Sequence, residues 1–558
     1  LVALVLVPSC GVGGDGDGGP DQEAAEAYLT AWAAGDIEEM SALVADPPAD
    51  FAARQRQFRA NLQVVTAQVD DVVTETSGDE GTARYRATLG LQGLGEWSYD
   101  GAVDLVRVDG DWRVSFQPMS LHPALSQGRS LRRTRVQGPR AVVTAAGGQP
   151  LAVGGPGEAD RQRDIGAALV GQLRPITGPE AAAAGLEYQA GDLVGEDGVE
   201  AGYEDRLRSA PVGRIEVVDA QGTVLEVLVD FAGERPAPLA LTLDYVTQRA
   251  AEEAIADVTL PVALVAVDST SGAIRAVANN PSGFDRALLG EYPPGSTFKI
   301  VTAAALLGSG LEPDQVLACP RETRPGDSAP FTNAFGEDYG DLAFIDTFAK
   351  SCNTTFVDEG FRLGAVRLYE MARTFGFGQA YDLGVPVVTS TFPLPETDTE
   401  IAASAIGQAA VSVTPLHMAT VAAAARNGTW RPPFLSGEPP AGGRHPLPAA
   451  AAAELPEFLR EAVRSGTGQA AAIDGRDVGG KTGTAEFGEE EPPETHAWFA
   501  GFIGDLAYAL VVEGGGVGGE VAAPLVHEFL SLLPPPPAGP GALPTTSTVP
   551  APVPEPMP

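Results

Sequence analysis

The chain has 558 residues, 44% hydrophobic and 20% charged, with 36 Lys+Arg against 74 Asp+Glu and a formal net charge of −38. Such a length predicts about three domains, the apolar content excludes wholesale disorder, and the acidic excess argues against partners such as nucleic acid or an anionic membrane surface. Three cysteines are too few for a disulfide framework or zinc cluster, five scattered histidines show no metal-ligand spacing, and no run of about 20 apolar residues is present to span a bilayer as a helix.

The first seven residues are apolar and lead into Pro8-Ser9-Cys10-Gly11. An apolar run that ends in small residues and a cysteine resembles a bacterial lipoprotein signal, which makes Cys10 the expected lipidation site. A plain export signal or membrane anchor is the alternative. Residues 1–20 are therefore read as signal and Gly/Asp-rich tether, placing the rest of the chain on the outer face of a cytoplasmic membrane.

Residues 21–123 read as a small α+β unit. Ala24, Ala25, Tyr28, Leu29 and Trp32 recur at helical spacing, and Met40, Leu43 and Val44 continue into a second short helix. Strands are predicted at 64–72, 83–91, 97–108 and 112–116, with Asp109-Gly110 a hairpin signal between the last two. Helices before an antiparallel meander resemble the NTF2-like fold. The unit carries no catalytic grouping, so its removal is expected to leave a fragment 124–533 that still reacts.

Residues 124–235 carry predicted strands near 141–143, 214–218 and 224–228, an amphipathic stretch at 161–173 read as a helix, and no catalytic constellation. Residues 236–533 hold the chemistry, opening with a helix at 246–255, a buried strand at 262–267 and a partner strand at 273–277. From 534 to 558 the chain is Pro-rich and is expected to be an extended, disordered tail.

Three short motifs lie in the large region. In Pro293-Pro294-Gly295-Ser296-Thr297-Phe298-Lys299, Pro-Gly places Ser296 at a helix N-terminal turn and Lys299 one turn on, on the same face. A serine becomes a nucleophile when a base takes its proton, and a lysine serves when burial and neighbouring cations hold it neutral. In Lys350-Ser351-Cys352-Asn353, a hydroxyl and an amide two residues apart project together from an extended or turn backbone. In Gly480-Lys481-Thr482-Gly483-Thr484-Ala485-Glu486, a strand edge with a glycine admits a peptide-like substrate as an added strand. Each motif alone has a bland reading as cap, turn or strand end.

Their order within one domain resembles the serine-acylating penicillin-binding proteins and related β-lactamases. Ile406 to Leu416 is similar to a segment of the same transpeptidases, with one departure at Ala409, where glycine is usual. Gly191 to Glu200 and Tyr203 to Leu207 resemble the pedestal of class B members, and 21–123 is similar to the NTF2-like extension of the methicillin-resistance-type subgroup. The implied fold class is α+β and multidomain: an NTF2-like domain at 21–123, a β-rich dimerisation or pedestal domain at 124–235, and an α/β transpeptidase domain at 236–533.

The resemblance implies a peptidoglycan D,D-transpeptidase that cross-links stem peptides through an acyl-enzyme on Ser296 and is acylated by β-lactams. It makes Lys299 the base, Ser351 a proton relay and Asn353 a substrate-amide contact. Lys481, Thr482 and Thr484 would meet the substrate carboxylate, Gly483 would permit close approach, and the backbone N–H groups of Ser296 and Thr484 would form the oxyanion hole. No metal or organic cofactor is implied. Stem peptides, β-lactams and elongation or division proteins are the implied partners, with an N-terminal membrane anchor. A D,D-carboxypeptidase and a β-lactam-binding receptor without turnover are the alternatives. Cys319 and Cys352 can either pair or remain separate small buried residues. The second is preferred, because Cys352 between two motif residues leaves little room.

Overall fold

The computed structural model describes residues 19–126, 128–154, 161, 165–233, 236–488 and 493–535. Cys10, most of the tether, part of 161–173 and the tail from 536 lie outside the described residues. The described residues fall into two compact units, one up to 144 and from 150 to 240, the other of 145–149 and from 241 onward.

In the first unit, α1 (Pro20–Ala34), α2 (Ile37–Leu43) and α3 (Phe51–Leu62) precede a four-stranded antiparallel meander, β1 (Val64–Ser77), β2 (Glu80–Leu91), β3 (Gly95–Val108) and β4 (Asp111–Ser115). Asp109 and Gly110 join β3 to β4 with φ of 53° and 95°, as the two-residue type I′ hairpin requires. Helix α3 was not expected from the sequence. Its apolar content is low, yet Phe51, Gln55, Phe58 and Leu62 are buried at helical spacing.

A three-stranded antiparallel sheet comes next, β5 (Ser130–Val136), β6 (Val212–Val218) and β7 (Val224–Phe231), with β6 central. Leu131, Ile215 and Val217 from this sheet join the same core as Trp32, Phe58 and Tyr85. Packing is thus continuous across position 123. The helix expected at 161–173 is a single turn, Ala167–Val170, flanked by Gly166 and Gly171 with positive φ of 69° and 85°, and Leu173 already begins a strand. Buried Arg140 bonds both Glu200 (3.0 Å) and Glu204 (2.9 Å), and Arg161 also bonds Glu200. Each charge has its counter-ion at hand, the condition under which charges tolerate an interior.

The second unit is built on a five-stranded antiparallel sheet: β8 (Val262–Asp268), β9 (Ile274–Asn280), β10 (Val478–Phe487), β11 (Glu494–Ile503) and β12 (Leu506–Val512), in the order β9-β8-β12-β11-β10. The first six of the seven residues of β8 are buried and all six are apolar, while the half-buried seventh is Asp268. Helix α4 (Tyr245–Ile255) starts on Asp244, whose carboxylate accepts from Thr247 N at 2.8 Å, and shares a core with the C-terminal helix Ala522–Leu532 and one face of the sheet. The topology leaves β10, which carries Lys481 to Thr484, at an edge.

The continuous core of the first unit yields a prediction at odds with a dispensable N-terminal module. A fragment 124–533 exposes Leu131, Ile215 and Val217 and should bind a hydrophobic dye and aggregate where the full chain does not. A monodisperse fragment with no added dye binding would show that this sheet needs no partner layer.

Candidate active site

Ser296 lies in a 3₁₀ turn, Gly295–Phe298, that runs into α5 (Lys299–Gly308). Gly295 has φ 52°, and a Cβ there would sit 2.7 Å from the carbonyl oxygen of Thr484. A Cβ on Gly483 would lie 2.9 Å from both Pro294 O and Thr297 Cγ2. Both glycines are therefore dictated by contact between the serine turn and the β10 backbone. Trp498 on β11 donates from Nε1 to Pro293 O at 3.1 Å and fixes the turn from the sheet side.

The second motif joins α6 (Phe344–Ala349) to α7 (Asn353–Leu363). Ser351 has φ 58°, a left-handed conformation that costs a residue with a Cβ about 1–2 kcal/mol. Asn353 is the first residue of α7 rather than part of an extended stretch. The chain reversal turns Ser351 and Asn353 toward Lys299 and Cys352 into the interior. That corrects the expectation of separate thiols: Cys319 and Cys352 form a disulfide, with Cα atoms 6.2 Å apart.

Lys299 Nζ donates to Ser351 O at 2.7 Å and Asn353 Oδ1 at 2.7 Å, with a longer 3.4 Å contact to Ser351 Oγ. A neutral amine has two N–H bonds, and the two short contacts use both. Among the described residues Ser296 Oγ has no hydrogen-bond partner, so the Ser296–Lys299 bond expected of a base is not formed in this structure; such bonds commonly tighten only around substrate. Lys299 is fully buried, its amine 5.4 Å from the centre of the Phe356 ring. Burial first, and the charge of Lys481 second, hold it well below the ordinary lysine value.

Lys481 is also fully buried, 5.8 Å from the Phe348 ring centre, and donates to Thr482 O at 3.0 Å. Burial lowers it to about 7. Beside it, Thr482 Oγ1 and Thr467 Oγ1 are 2.6 Å apart, and Thr484 Oγ1 accepts from Gly518 N at 3.3 Å.

A cavity of about 810 Å³ collects these groups. Ser296, Ser351, Asn353, Thr482 and Thr484 line it, whereas Lys299, Lys481 and Gly483 lie behind its surface. At this end the Thr482 and Thr484 side chains, not the Lys481 amine, face the cavity. Thr467, Phe348 and Phe356 were not singled out from the sequence. The two phenylalanines carry only a weak signal, their spacing of four before and three after Cys352 and Asn353. Gln408 lines the cavity next to Ala409, whose φ of 60° is the left-handed backbone that a glycine adopts without strain. Lys299, Lys350 and Lys481 are the only three lysines in the chain, and of these Lys350 lines the cavity.

Comparison with known proteins agrees with this architecture. Residues 20–129 match the family model of the NTF2-like N-terminal transpeptidase domain, 161–239 the penicillin-binding protein dimerisation domain, and 262–531 the penicillin-binding protein transpeptidase domain. The peptidoglycan D,D-transpeptidase PbpA of Mycobacterium tuberculosis is 36% identical over an alignment of 282 residues, with 45% of this chain and 57% of that protein covered. The chain thus spans little more than half the length of this curated relative. The D,D-transpeptidase domain of a peptidoglycan glycosyltransferase from Eggerthella lenta superposes with a TM-score of 0.56 at 26% identity, over 71% of this chain and 98% of that one. A chain from a peptidoglycan synthase complex gives 0.64 at 25% identity, over 73% and 92%. With an NTF2-like N-terminal domain, a dimerisation domain and a penicillin-binding protein transpeptidase domain in one multidomain α+β chain, the protein has the domain set of the class B-like penicillin-binding proteins.

Proposed function

We propose that the chain is a peptidoglycan D,D-transpeptidase whose nucleophile is Ser296 and which β-lactams acylate. The observation that carries the reading is the convergence of Ser296, Ser351, Asn353 and the Thr482–Thr484 strand edge on one cavity, backed by two buried amines. A stem peptide ending in D-Ala-D-Ala adds along the free edge of β10, its carboxylate against the Thr482 and Thr484 hydroxyls with Lys481 behind them. Neutral Lys299 takes the proton of Ser296, whose oxygen bonds to the penultimate carbonyl carbon. The resulting oxyanion is held by the N–H groups of Ser296 and Thr484, an interaction worth about 3–4 kcal/mol in other acyl transferases. Asn353 holds the substrate amide. The proton passes through Ser351 to the departing D-Ala nitrogen as the C–N bond breaks. An amine of a neighbouring strand then displaces the serine and closes the cross-link.

In this reading residues 21–123, 124–235 and 236–533 are the three domains, residues 1–20 anchor them outside the cytoplasmic membrane through Cys10, and cell-wall elongation or division proteins are the partners. No helix among the described residues is long and apolar enough to cross a membrane.

A donor peptide offered with an amine acceptor should give the cross-linked product in excess over the hydrolysed one; hydrolysis alone would identify a carboxypeptidase, and acylation without turnover a receptor. Ser296→Ala should lose all covalent penicillin labelling and keep the wild-type melting temperature. Adduct mapped to any other residue contradicts the assignment.

Lys481→Gln tests the coupled amines. Lys299 works as a base only when neutral, so acylation falls as pH drops through its pKa. Lys481, charged below about 7, opposes protonation of Lys299. Removing that charge raises the Lys299 pKa, so the acid limb of the acylation profile moves to higher pH, and loss of the group behind the carboxylate site slows acylation by about a hundredfold. A limb that stays in place would separate the two lysines electrostatically.

A further inference from the structure

Asn333 lies between the disulfide half Cys319 and the second motif, outside every motif singled out above, and is only 4% exposed. Its Oδ1 accepts from the backbone N–H of Asn353 at 2.9 Å, from that of Thr354 at 3.2 Å, and from Thr354 Oγ1 at 3.4 Å. Its Nδ2 donates to Pro320 O at 2.9 Å and Glu337 O at 3.1 Å. Both ends of the amide are engaged, so it has one allowed orientation.

The preceding residue acts on the same target. Thr332 O accepts from Asn353 Nδ2 at 3.0 Å, leaving Asn353 Oδ1 to face Lys299. With the Asn353 amide flipped, its N–H groups would meet those of the lysine. The usual cap of α7 does not do this work: of the backbone N–H groups, Cys352 Sγ accepts only that of Thr355, at 3.3 Å, beside contacts to the Thr354 and Thr355 hydroxyls. The first two N–H groups of α7 are left to Asn333, and they belong to the residue that meets Lys299 and to its neighbour.

We propose that Asn333 is a positioning residue for the acylation step: by capping Asn353 and Thr354 and holding Thr332 O in place, it fixes the Asn353 amide against Lys299 beside Ser296. This deepens the proposed transpeptidase reading and rests on it. Reacting groups displaced by about an ångström lose rate steeply, so the effect belongs to acylation and not only to the fold.

The experiment measures acylation of the full chain by a fluorescent penicillin, alongside the melting temperature, for wild type, Asn333→Ala, Asn333→Ser and Asn333→Asp. Aspartate, protonated by its burial, keeps an oxygen for both N–H groups and an O–H for Pro320 O or Glu337 O, while a serine hydroxyl is too short to reach them. We expect acylation about tenfold to a hundredfold slower in the alanine and serine variants, and within about threefold of wild type in the aspartate variant. Alanine acylating within twofold of wild type, or aspartate as slow as alanine, overturns the proposal. Should the alanine variant unfold, the serine–aspartate pair decides, and equal rates overturn it. Wild type that never acylates would instead remove the transpeptidase reading, so the two failures are distinct.

Discussion

The burial of two lysine amines behind a polar cleft is the constraint on which the rest of the second unit depends. An ammonium removed from water carries a large desolvation penalty and responds by losing its proton. Lys299 and Lys481 are both fully buried, lie near the Phe356 and Phe348 rings, and Lys299 also feels the charge of its neighbour. Burial, with the charge of Lys481 second, thus biases Lys299 toward its neutral form, and it does so before any ligand arrives. The glycines at 295 and 483 belong to the same arrangement, because the serine turn must touch the strand whose lysine sits beneath it.

The use of lysine across the chain fits this account. Only three of the 36 basic residues are lysine: Lys350 lines the cleft, and Lys299 and Lys481 are buried behind it. Arginine supplies the charge elsewhere, including the buried Arg140–Glu200 pair. Arginine cannot give up its proton in a protein, whereas an amine can when buried. Lysine is therefore kept where an amine that titrates near neutral pH, or a compact one, is required. The turn at Ser351 shows a related compromise: a serine holds a backbone conformation that favours glycine, which is tolerated because its hydroxyl lines the cavity and its carbonyl accepts from Lys299.

Much of this could be read from the amino-acid order. The motif residues are local patterns, and the strands of the N-terminal meander announce themselves by alternation and by the Asp109-Gly110 turn. Helix α3 escaped because its buried face is four residues set among arginines, glutamines and alanines. The single helical turn at 167–170 was overread because an amphipathic pattern does not register glycines that take positive φ. The disulfide escaped because adjacency in sequence was taken for crowding, whereas the left-handed Ser351 sends Cys352 to the opposite side. Asn333 and Thr467 meet the site through contacts distant in sequence, to which no spacing rule points, and Phe348 and Phe356 carry only the weak signal of their spacing around the second motif.

The central claim is that Lys299 is neutral at physiological pH in the free protein. With only three lysines in the chain, protein labelled with ¹³C at lysine Cε gives three resonances, and loss of one in Lys299→Ala assigns it. The account predicts that the Lys299 resonance has the chemical shift of a free amine at pH 7.5 and begins to titrate only on acidification. A Lys299 signal that remains that of an ammonium up to pH 10 would contradict it.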